Sequence, residues 1–320
     1  MIGRVRHFYN CSTVRAQPRL LPFMRRTSNL SGVAAMLAAT ASFVVGDSFM
    51  KLVTSDLPPF EVLFLRGVAA SLACALLLIV LGDWRVVSSA LHPRTLLRAA
   101  GETLSVLCYI VALARLPIAD VIAILQTAPL ILILAVAFLL RERVGAARVA
   151  LALVGFAGAF LVAQPGSGGI SPAALLAFAS ALLIAARDLV GRDVPARIPV
   201  MVVTFATNVM VMVVAAAMSL GFEIWHAPRD WHLAFLGLAG LFVTFGHVGL
   251  LLAYRLGRTA AVAPFFYSFA LWAVLSGFFV FGALPNALAL VGIALIAGSG
   301  VAIVLIDQRR GEEIALTEAL

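Results

Sequence analysis

The sequence is divided into ten apolar runs of about 20 residues, and this pattern limits the possible fold more than any other feature. An α-helix needs about 20 predominantly apolar residues to cross the hydrocarbon core of a bilayer. Hydrophobic residues make up 63% of the chain and charged residues only 12%, whereas soluble domains are about 25% charged. The longest polar stretch, the N-terminal tail, is too short for a folded domain. The sequence therefore excludes a soluble globular protein and a membrane-anchored enzyme with a separate catalytic domain.

Prolines, glycines and charged residues separate the ten runs and indicate turns between them. Because the breaks are short, we expect consecutive helices to run antiparallel and to pack as neighbours. The predicted fold class is an all-α polytopic membrane protein with ten transmembrane helices. The predicted spans, numbered 1 to 10, cover about residues 31–54, 60–82, 96–115, 118–140, 146–163, 172–191, 199–221, 231–254, 259–282 and 286–306.

The distribution of lysine and arginine predicts the orientation of the chain. With a cytoplasmic N-terminus, 19 of the 23 Lys and Arg residues fall on the cytoplasmic side, as the positive-inside rule requires. We therefore expect both termini to be cytoplasmic and the chain to lie in a bacterial inner (plasma) membrane. Residues 1–30 are interpreted as a basic cytoplasmic tail, although their Arg-rich, acid-poor composition is also typical of a transit peptide. The same clustering at helix ends accounts for the net charge of +8 without a nucleic-acid partner.

Short motifs recur at an offset close to 140 residues. The segment Ala150–Gly155 (ALALVG) recurs as Ala287–Gly292, and the pair Arg115-Leu116 recurs as Arg255-Leu256. We predict two five-helix repeats, at residues 31–165 and 171–306, and a cytoplasmic C-terminal tail at residues 307–320. Because five is odd, the second repeat enters the membrane from the opposite face. Inverted repeats of this kind are typical of secondary transporters.

Five segments within about residues 30–306 carry the pattern of one family of membrane proteins. They are GDSFMKL (Gly46–Leu52), DLPPFEVLFLRG (Asp56–Gly67), ARLPIADVIAILQTAPL (Ala114–Leu130), RERVG (Arg141–Gly145) and LVGFAGAFLVAQPG (Leu153–Gly166). Together with the ten spans, they resemble the EamA type of the drug/metabolite transporter superfamily. The resemblance implies a ten-helix, inverted-repeat carrier of small metabolites. It also implies a central cavity from which spans 5 and 10 are set aside.

Charged side chains inside the spans are the first candidates for a solute site, since an ionisable group costs about 2.5–3.5 kcal/mol at the centre of an inserted helix. Asp47 and Lys51 stand at positions i and i+4 of span 1, within reach of an ion pair. Arg66 lies in the outer part of span 2. We predict that these residues either bind a zwitterionic or anionic solute or form an ion-pair network that holds spans 1 and 2 together.

A second charged group is predicted at the cytoplasmic side. Glu102 in span 3 follows Arg98 by one turn and is either a proton-coupling group or the snorkelling partner of Arg98. Arg187 and Asp188 end span 6, where we expect an interfacial salt bridge. The 140-residue offset makes Arg187 equivalent to Asp47, so the repeats would present opposite charges at equivalent places. We expect neutralisation of Asp47 or Glu102 to impair transport more than neutralisation of Arg187.

Polar and aromatic residues deep in other spans complete the candidate site. His247 in span 8 is flanked by glycines and is interpreted either as a cavity residue that relays protons or as a histidine hydrogen-bonded across a helix pair. Gln126 in span 4 and Tyr267 and Trp272 in span 9 are candidates for polar and stacking contacts with a solute. The alternative for the two aromatic residues is packing or exposure to lipid.

Prolines and small residues predict where spans bend and where they approach each other. Pro129 and Pro264 interrupt spans 4 and 9, the equivalent members of the two repeats, and permit bending or impose a static kink. The small residues of spans 5 and 10, Gly155 to Gly158 and Ala294 to Gly298, permit close helix contact. We interpret them as packing between the repeats or as a homodimer interface.

These features predict a secondary transporter of small organic metabolites, above all amino acids or their derivatives, that works by alternating access with proton coupling or exchange. An intramembrane enzyme and a small-solute channel are the alternatives. The sequence has no HExxH, G-x-S-x-G or P-loop motif and no ring of like charge that would form a filter. The three cysteines have no metal or redox spacing. We therefore expect no metal and no cofactor, and a small-molecule substrate and the lipid bilayer as partners.

Overall fold

A computed structural model describes residues 29–138, 145–164, 170–191, 193–195, 197–257 and 259–319. The predicted basic tail, except for its last two residues, and most of the RERVG segment lie outside these residues. The described chain forms twelve α-helices, two 3₁₀-helices and no β-strand. The 3₁₀-helices are Asp83–Leu91 and Ala263–Tyr267. The α-helices are α1 Asn29–Val53, α2 Pro59–Leu81, α3 Pro93–Arg115, α4 Ile118–Leu125, α5 Ala128–Phe138, α6 Ala146–Ala163, α7 Pro172–Gly191, α8 Val200–Phe222, α9 Asp230–Leu256, α10 Thr259–Val262, α11 Ser268–Phe281 and α12 Ala287–Ala319.

Ten helical segments of the described chain are long and apolar enough to cross a membrane. Helices α4 and α5 together form span 4, and the second 3₁₀-helix with α11 forms span 9. The predicted all-α polytopic fold is therefore confirmed. The largest differences from the predicted boundaries are three: α3 begins earlier, at Pro93, span 9 begins later, at Ala263, and α12 continues past residue 306 to Ala319.

The helix ends follow from local sequence. A proline occupies the first position of α2 and of α3, where its missing N–H costs nothing. The Nδ1 of His92 accepts the Arg94 N–H at 3.2 Å and caps α3. Helix α2 ends at Gly82, whose φ of 77° is the left-handed conformation that glycine adopts without strain.

A carboxylate from the second half of the chain caps α2. The two oxygens of Glu223, at the end of α8, accept the N–H groups of Phe60 at 2.9 Å and of Glu61 at 3.0 Å. A carboxylate at this end is favoured because the helix dipole places positive charge there. The loop after α8 is therefore held on the first turn of α2.

Consecutive helices are not the main packing partners, and the expectation that they would be was wrong. The most extensive contacts are α1 with α9, α3 with α7, α2 with α8, and α6 with α12. Each of these pairs joins a helix of the first half to a helix of the second half. Short connections set the direction of the next helix, but they leave open which helix it lies against.

The pairs α1/α9 and α3/α7 have the same register. In the first pair, Gly46 lies against Phe242, and a Cβ at Gly46 would be 3.4 Å from the Phe242 Cβ. The positions equivalent to these two in the other half of the chain are 186, which is 140 residues after Gly46, and 102, which is 140 residues before Phe242. In the second pair, Glu102 contacts Arg187, one residue from that position. The helix neighbours thus repeat with the offset found in the sequence.

Two hydroxyl pairs show that α1 and α11 lie side by side in the same direction. The side-chain oxygens of Thr40 and Ser268 are 2.8 Å apart, and those of Ser48 and Ser276 are 2.6 Å apart. Both partners advance by eight residues between the two contacts, so the helices are parallel. Hydroxyl hydrogen bonds between spans stabilise helix association in lipid.

Glycines bring α6 and α12 into close contact. A Cβ at Gly158 would lie 2.7 Å from the Gly292 carbonyl oxygen, and one at Gly292 would lie 2.5 Å from the Gly158 carbonyl oxygen. One end of the same pair is closed by Gln164 and Asn286, whose amides exchange hydrogen bonds of 2.6 and 2.8 Å. Gly158, as predicted, is thus used in packing between the two halves of one chain, but its partner in span 10 is Gly292, and the predicted Gly298 has no atom within 4 Å of a Cβ built there.

The α6/α12 contact yields a test of this packing. We predict that Gly292→Ala lowers the free energy of unfolding by about 1–3 kcal/mol, because the added methyl group overpacks the contact with Gly158. The measurement is unfolding of the purified protein in mixed micelles.

Gly298→Ala is the matched control on the same helix, because no atom lies within 4 Å of a Cβ at Gly298. This variant should keep or slightly raise the stability, since alanine favours helix by up to about 1 kcal/mol over glycine. Equal effects of the two substitutions would show that the α6/α12 contact is not close.

Candidate functional site

Three buried polar side chains from three helices form the first candidate site. Asp47 of α1, Arg66 of α2 and Tyr109 of α3 keep only 9%, 8% and 7% of their surface exposed. Their carboxylate, guanidinium and phenol groups interact electrostatically with one another. We call these three residues the Asp47 cluster. The structure thus brings together Asp47 and Arg66, as predicted, and adds Tyr109.

The Asp47 cluster has unused hydrogen-bonding capacity. Within the described chain, the Arg66 Nε is enclosed and has no hydrogen-bond partner, and the enclosed Tyr109 hydroxyl interacts only with the Asp47 carboxylate. A buried polar atom without a partner costs about 1–3 kcal/mol. Such atoms inside a membrane bundle indicate a place where a solute or water supplies the missing partner.

Lys51 does not pair with Asp47, in contrast to the ion pair that their spacing suggested. Its Nζ donates to the carbonyl oxygens of Leu113 and Leu116, each at 2.6 Å, and lies 5.8 Å from the centre of the Phe281 ring. These carbonyls belong to the end of α3, which carries the negative pole of the helix dipole. The i, i+4 spacing placed both side chains on one face of α1, but the helix end beside Lys51 offers its ammonium a better set of acceptors.

Charged side chains of α3 and α7 form a second cluster. The guanidinium of Arg187 contacts the Glu102 carboxylate across the helix pair, and it also bonds Asp188 at 2.7 Å. Arg98 lies against Gly191, with its Nε 3.3 Å from a Cβ built there. We call Arg98, Glu102, Arg187 and Asp188 the Glu102 cluster. The expected salt bridge between Arg187 and Asp188 is present.

Glu102 therefore pairs across helices, whereas the sequence suggested Arg98 on its own helix as the alternative partner. The spacing of Arg98 and Glu102 places both side chains on one side of α3. It could not show that α7 brings the Arg187 guanidinium to the same side. Arg187 contacts two carboxylates, so its loss leaves two like charges without their cation. We therefore expect Arg187→Gln to impair transport at least as much as Glu102→Gln, in contrast to the order that the sequence suggested.

His247 is subject to the charges of both clusters. Its Nδ1 is 2.7 Å from the Val243 carbonyl oxygen, and since a carbonyl only accepts, Nδ1 carries the proton and Nε2 is the acceptor of the neutral ring. The ring packs edge-on against Phe43, with 5.1 Å between ring centres. The charges of Arg66 and Arg187, one from each cluster, act on the imidazole. The bond to Val243 lies within α9, so His247 does not bridge two helices through Nδ1.

Spans 4 and 9 are both discontinuous, at the places where prolines predicted breaks. Gln126 ends α4, and the helix resumes at Ala128, next to Pro129. In span 9, Pro264 lies in the 3₁₀-helix that precedes α11. Broken helices of this kind form solute sites near the middle of transporter bundles.

The side chain of Gln126 has the same free capacity as the Asp47 cluster. It is 2% exposed, and neither its Oε1 nor its Nε2 has a hydrogen-bond partner in the described chain.

The two predicted aromatic residues, Tyr267 and Trp272, differ in their surroundings. Tyr267 packs its ring against Gly300 of α12, whereas the enclosed indole Nε1 of Trp272 has no partner among the described residues. Packing therefore accounts for Tyr267, and Trp272 stays a candidate for contact with a solute.

Comparison with known proteins agrees with this architecture. The family model "EamA-like transporter family" matches residues 30–164. A riboflavin transporter of Rhizobium johnstonii is 36% identical over 222 residues, which cover 68% of this chain and 72% of that protein. The chain belongs to the EamA-like transporter family.

One further relative and one solved structure are similar to this EamA-like protein over most of its length. The pseudopaline exporter of Pseudomonas aeruginosa is 28% identical over 275 residues, which cover 85% of this chain and 95% of the exporter. A solved crystal structure with 23% identity superposes with a TM-score of 0.61 and covers 86% of this chain and 98% of its own. At that identity the crystal structure supports the fold alone. The named relatives are transporters of small molecules, and this EamA-like chain is a multi-pass membrane protein of the same kind.

Two polar features of the bundle interior were not predicted from the sequence: Tyr109 and the contact between Cys74 and Asn208. Cys74 of α2 accepts a hydrogen bond from Asn208 of α8 at 3.3 Å, in the interior of the bundle. Tyr109 stands in an apolar stretch of span 3, and a buried tyrosine hydroxyl normally has a polar partner. That rule was the available signal, but it does not say which helix supplies the partner.

A cavity of about 330 Å³ lies apart from the Asp47 cluster, at the ends of α4, α6 and α12. Asp120, near the start of α4, lines it, and the enclosed Oδ1 of this residue has no partner in the described chain. The cavity also contains Gln164 and Asn286, which are already bonded to each other. Within the described residues, no group of three or more His, Cys, Asp or Glu side chains is arranged to hold a metal ion.

The Glu102 cluster yields a test with a built-in control. We predict that Arg187→Gln lowers the free energy of unfolding by about 1–3 kcal/mol, because it leaves the Glu102 and Asp188 carboxylates partly buried without a cation. Replacing both partners, in Arg187→Gln/Glu102→Gln, should restore part of the loss. The measurement is a double-mutant cycle of unfolding in micelles.

The pair of Arg94 and Asp193 joins the same two helices at the surface, with an N–O distance of 3.1 Å and side chains 52% and 61% exposed. Because water screens such pairs, Arg94→Gln should cost at most about 1 kcal/mol. A loss at Arg94 as large as that at Arg187 would contradict the assignment of the Glu102 cluster as the stabilising contact between α3 and α7.

Proposed function

We propose that this protein is a secondary transporter that carries riboflavin, or a closely similar neutral flavin, across the bacterial inner membrane by alternating access. The Asp47 cluster is the observation that carries the proposal: it places charged and polar groups with unused hydrogen bonds inside a ten-span bundle. The choice of solute is supported by the similarity to the riboflavin transporter of Rhizobium johnstonii.

The arrangement of helices supports an alternating-access mechanism. The main helix pairs join the two halves of the chain, and α1/α9 and α3/α7 are equivalent under the 140-residue offset. Two inverted repeats, residues 31–165 and 171–306, would exchange conformations and so open the cavity to one side and then to the other. The breaks in spans 4 and 9 provide points at which the bundle bends without unfolding a continuous helix.

The positive-inside distribution supports an orientation with both chain ends in the cytoplasm. In that orientation the Asp47 cluster lies in the outer half of the membrane and the Glu102 cluster in the inner half. We propose that Asp47, Arg66 and Gln126 contact the solute and that the Glu102–Arg187 pair closes the cytoplasmic side. His247, whose imidazole is subject to the charges of Arg66 and Arg187, is the proposed proton relay if transport is proton-coupled.

An amino acid or amino acid derivative is the second candidate solute. One observation favours it: Asp47 and Arg66 carry opposite charges close together, which fits the ammonium and carboxylate groups of a zwitterion. The two candidates differ in chemistry, because riboflavin is neutral and contains a large planar ring. A transport assay with both classes of solute distinguishes them.

We predict that purified protein in liposomes loaded with unlabelled riboflavin accumulates labelled riboflavin transiently and saturably. Such counterflow is the signature of a carrier. Asp47→Asn should lower the initial rate at least about 10-fold, because it removes a charge whose interaction with the solute is worth about 1.5–3 kcal/mol. The measurement is the initial rate of exchange, with glycine, alanine and flavin mononucleotide tested as competitors.

Asp83→Asn is the control, because Asp83 lies in the 3₁₀-helix outside the membrane spans. This variant should transport at the wild-type rate. Non-saturating flux would indicate a channel in place of a carrier. Competition by glycine or alanine without transport of riboflavin would select the amino acid class, and no transport of either solute by folded protein would overturn the proposed function.

A further inference from the structure

We infer that the Asp47 cluster recognises the imide edge of the flavin ring, the sequence of carbonyl, N–H and carbonyl on its pyrimidine side. This inference rests on the proposed function and assigns a role to each of the three side chains. Arg66 and the Tyr109 hydroxyl donate to the two carbonyl oxygens, and the Asp47 carboxylate accepts the N–H between them.

The placement of the cluster supports this assignment. Its members come from α1, α2 and α3, so the three groups converge from separate helices. Each residue is at least nine-tenths buried. Convergence of polar groups from several helices into an apolar bundle is the usual form of a small-molecule site.

The net charge of the cluster favours a neutral solute. Lys51, which the sequence placed beside Asp47, is occupied by the carbonyl oxygens of Leu113 and Leu116. One anion and one cation therefore remain, and the site is electrically neutral. A neutral solute adds no uncompensated charge in the membrane interior, whereas a phosphorylated flavin would bring at least one. Riboflavin should accordingly be preferred over flavin mononucleotide.

The donors and acceptors of the cluster match those of an imide edge. A guanidinium and a phenol hydroxyl are donors, and an ionised carboxylate is an acceptor only. Two donors and one acceptor are complementary in kind to the two carbonyl oxygens and one N–H of the imide. The enclosed Arg66 Nε has no partner in the described chain, and the Tyr109 hydroxyl interacts only with the Asp47 carboxylate of the same cluster, so this edge would satisfy groups that the protein leaves incompletely bonded.

The inference is tested with riboflavin analogues in the same liposome assay. 3-Methylriboflavin lacks the imide N–H and puts a methyl group against Asp47, so its apparent affinity should be lower by about 100-fold or more, since a site built to bond an N–H rejects an analogue without it. 5-Deazariboflavin keeps the imide edge and should compete as well as riboflavin. Equal transport of riboflavin and 3-methylriboflavin would overturn the inference and leave the proposed function intact.

Tyr109→Phe separates recognition from folding. It should raise the KM for riboflavin about 10-fold, because one hydrogen bond is lost. It should lower the free energy of unfolding by at most about 1 kcal/mol, because the hydroxyl interacts only with the neighbouring Asp47 carboxylate. Tyr254→Phe is the control, since Tyr254 is 42% exposed on the surface of α9, and it should change neither quantity.

Two outcomes at Tyr109 would contradict the assignment. A fall in thermal stability with an unchanged KM would show that the hydroxyl is structural. Transport of glycine or alanine that is inhibited by Asp47→Asn, with no riboflavin transport, would assign the cluster to a zwitterion and overturn both the inference and the proposed function.

Discussion

Close contact between the two halves of the chain is the constraint on which the rest of the structure depends. In lipid there is no hydrophobic force between helices, so association relies on van der Waals packing and hydrogen bonds at short distance. Glycines supply that distance at several of the main contacts, as Gly32 against Gly257, Gly67 against Met212 and Gly158 against Gly292 show. Because the strongest pairs all cross between the halves, neither half is a closed bundle on its own.

This arrangement explains how charged residues are tolerated inside the bundle. Two of the charges meet a partner that another helix supplies: the end of α3 for Lys51, and α7 for Glu102. The contact of Lys51 with the α3 carbonyls fixes the end of that helix, and it also removes a cation from the vicinity of Asp47. The composition of the Asp47 cluster therefore depends on a bond made one turn further along α1.

The sequence predicted the spans well because their length is dictated by the bilayer. Ten apolar runs became ten helical segments, and Pro129 and Pro264 marked the breaks in spans 4 and 9, since a proline removes a backbone hydrogen bond wherever it stands. These features depend on one segment at a time. They require no knowledge of the neighbouring helices.

The partners of the side chains were less accessible, because they depend on which helices meet. The spacing of Asp47 and Lys51 gave a correct face of α1 and a wrong ion pair. The spacing of Arg98 and Glu102 likewise placed both residues on one side of α3 but did not identify Arg187 as the partner of Glu102. The expectation that consecutive helices pack together failed for the same reason. Tyr109 was overlooked because nothing in span 3 itself shows that Asp47 and Arg66 lie beside it.

The 140-residue offset also relates the two clusters. Asp47 and Arg187 occupy equivalent positions, and Phe242, which lies against the residue before Asp47, is equivalent to Glu102. On α3/α7 a carboxylate therefore faces the guanidinium and neutralises it within the protein. On α1/α9 the equivalent position is a phenylalanine, so α9 supplies no charged partner there. The Asp47 carboxylate interacts instead with groups of α2 and α3, so one charge is balanced within a single helix pair and the other across three helices.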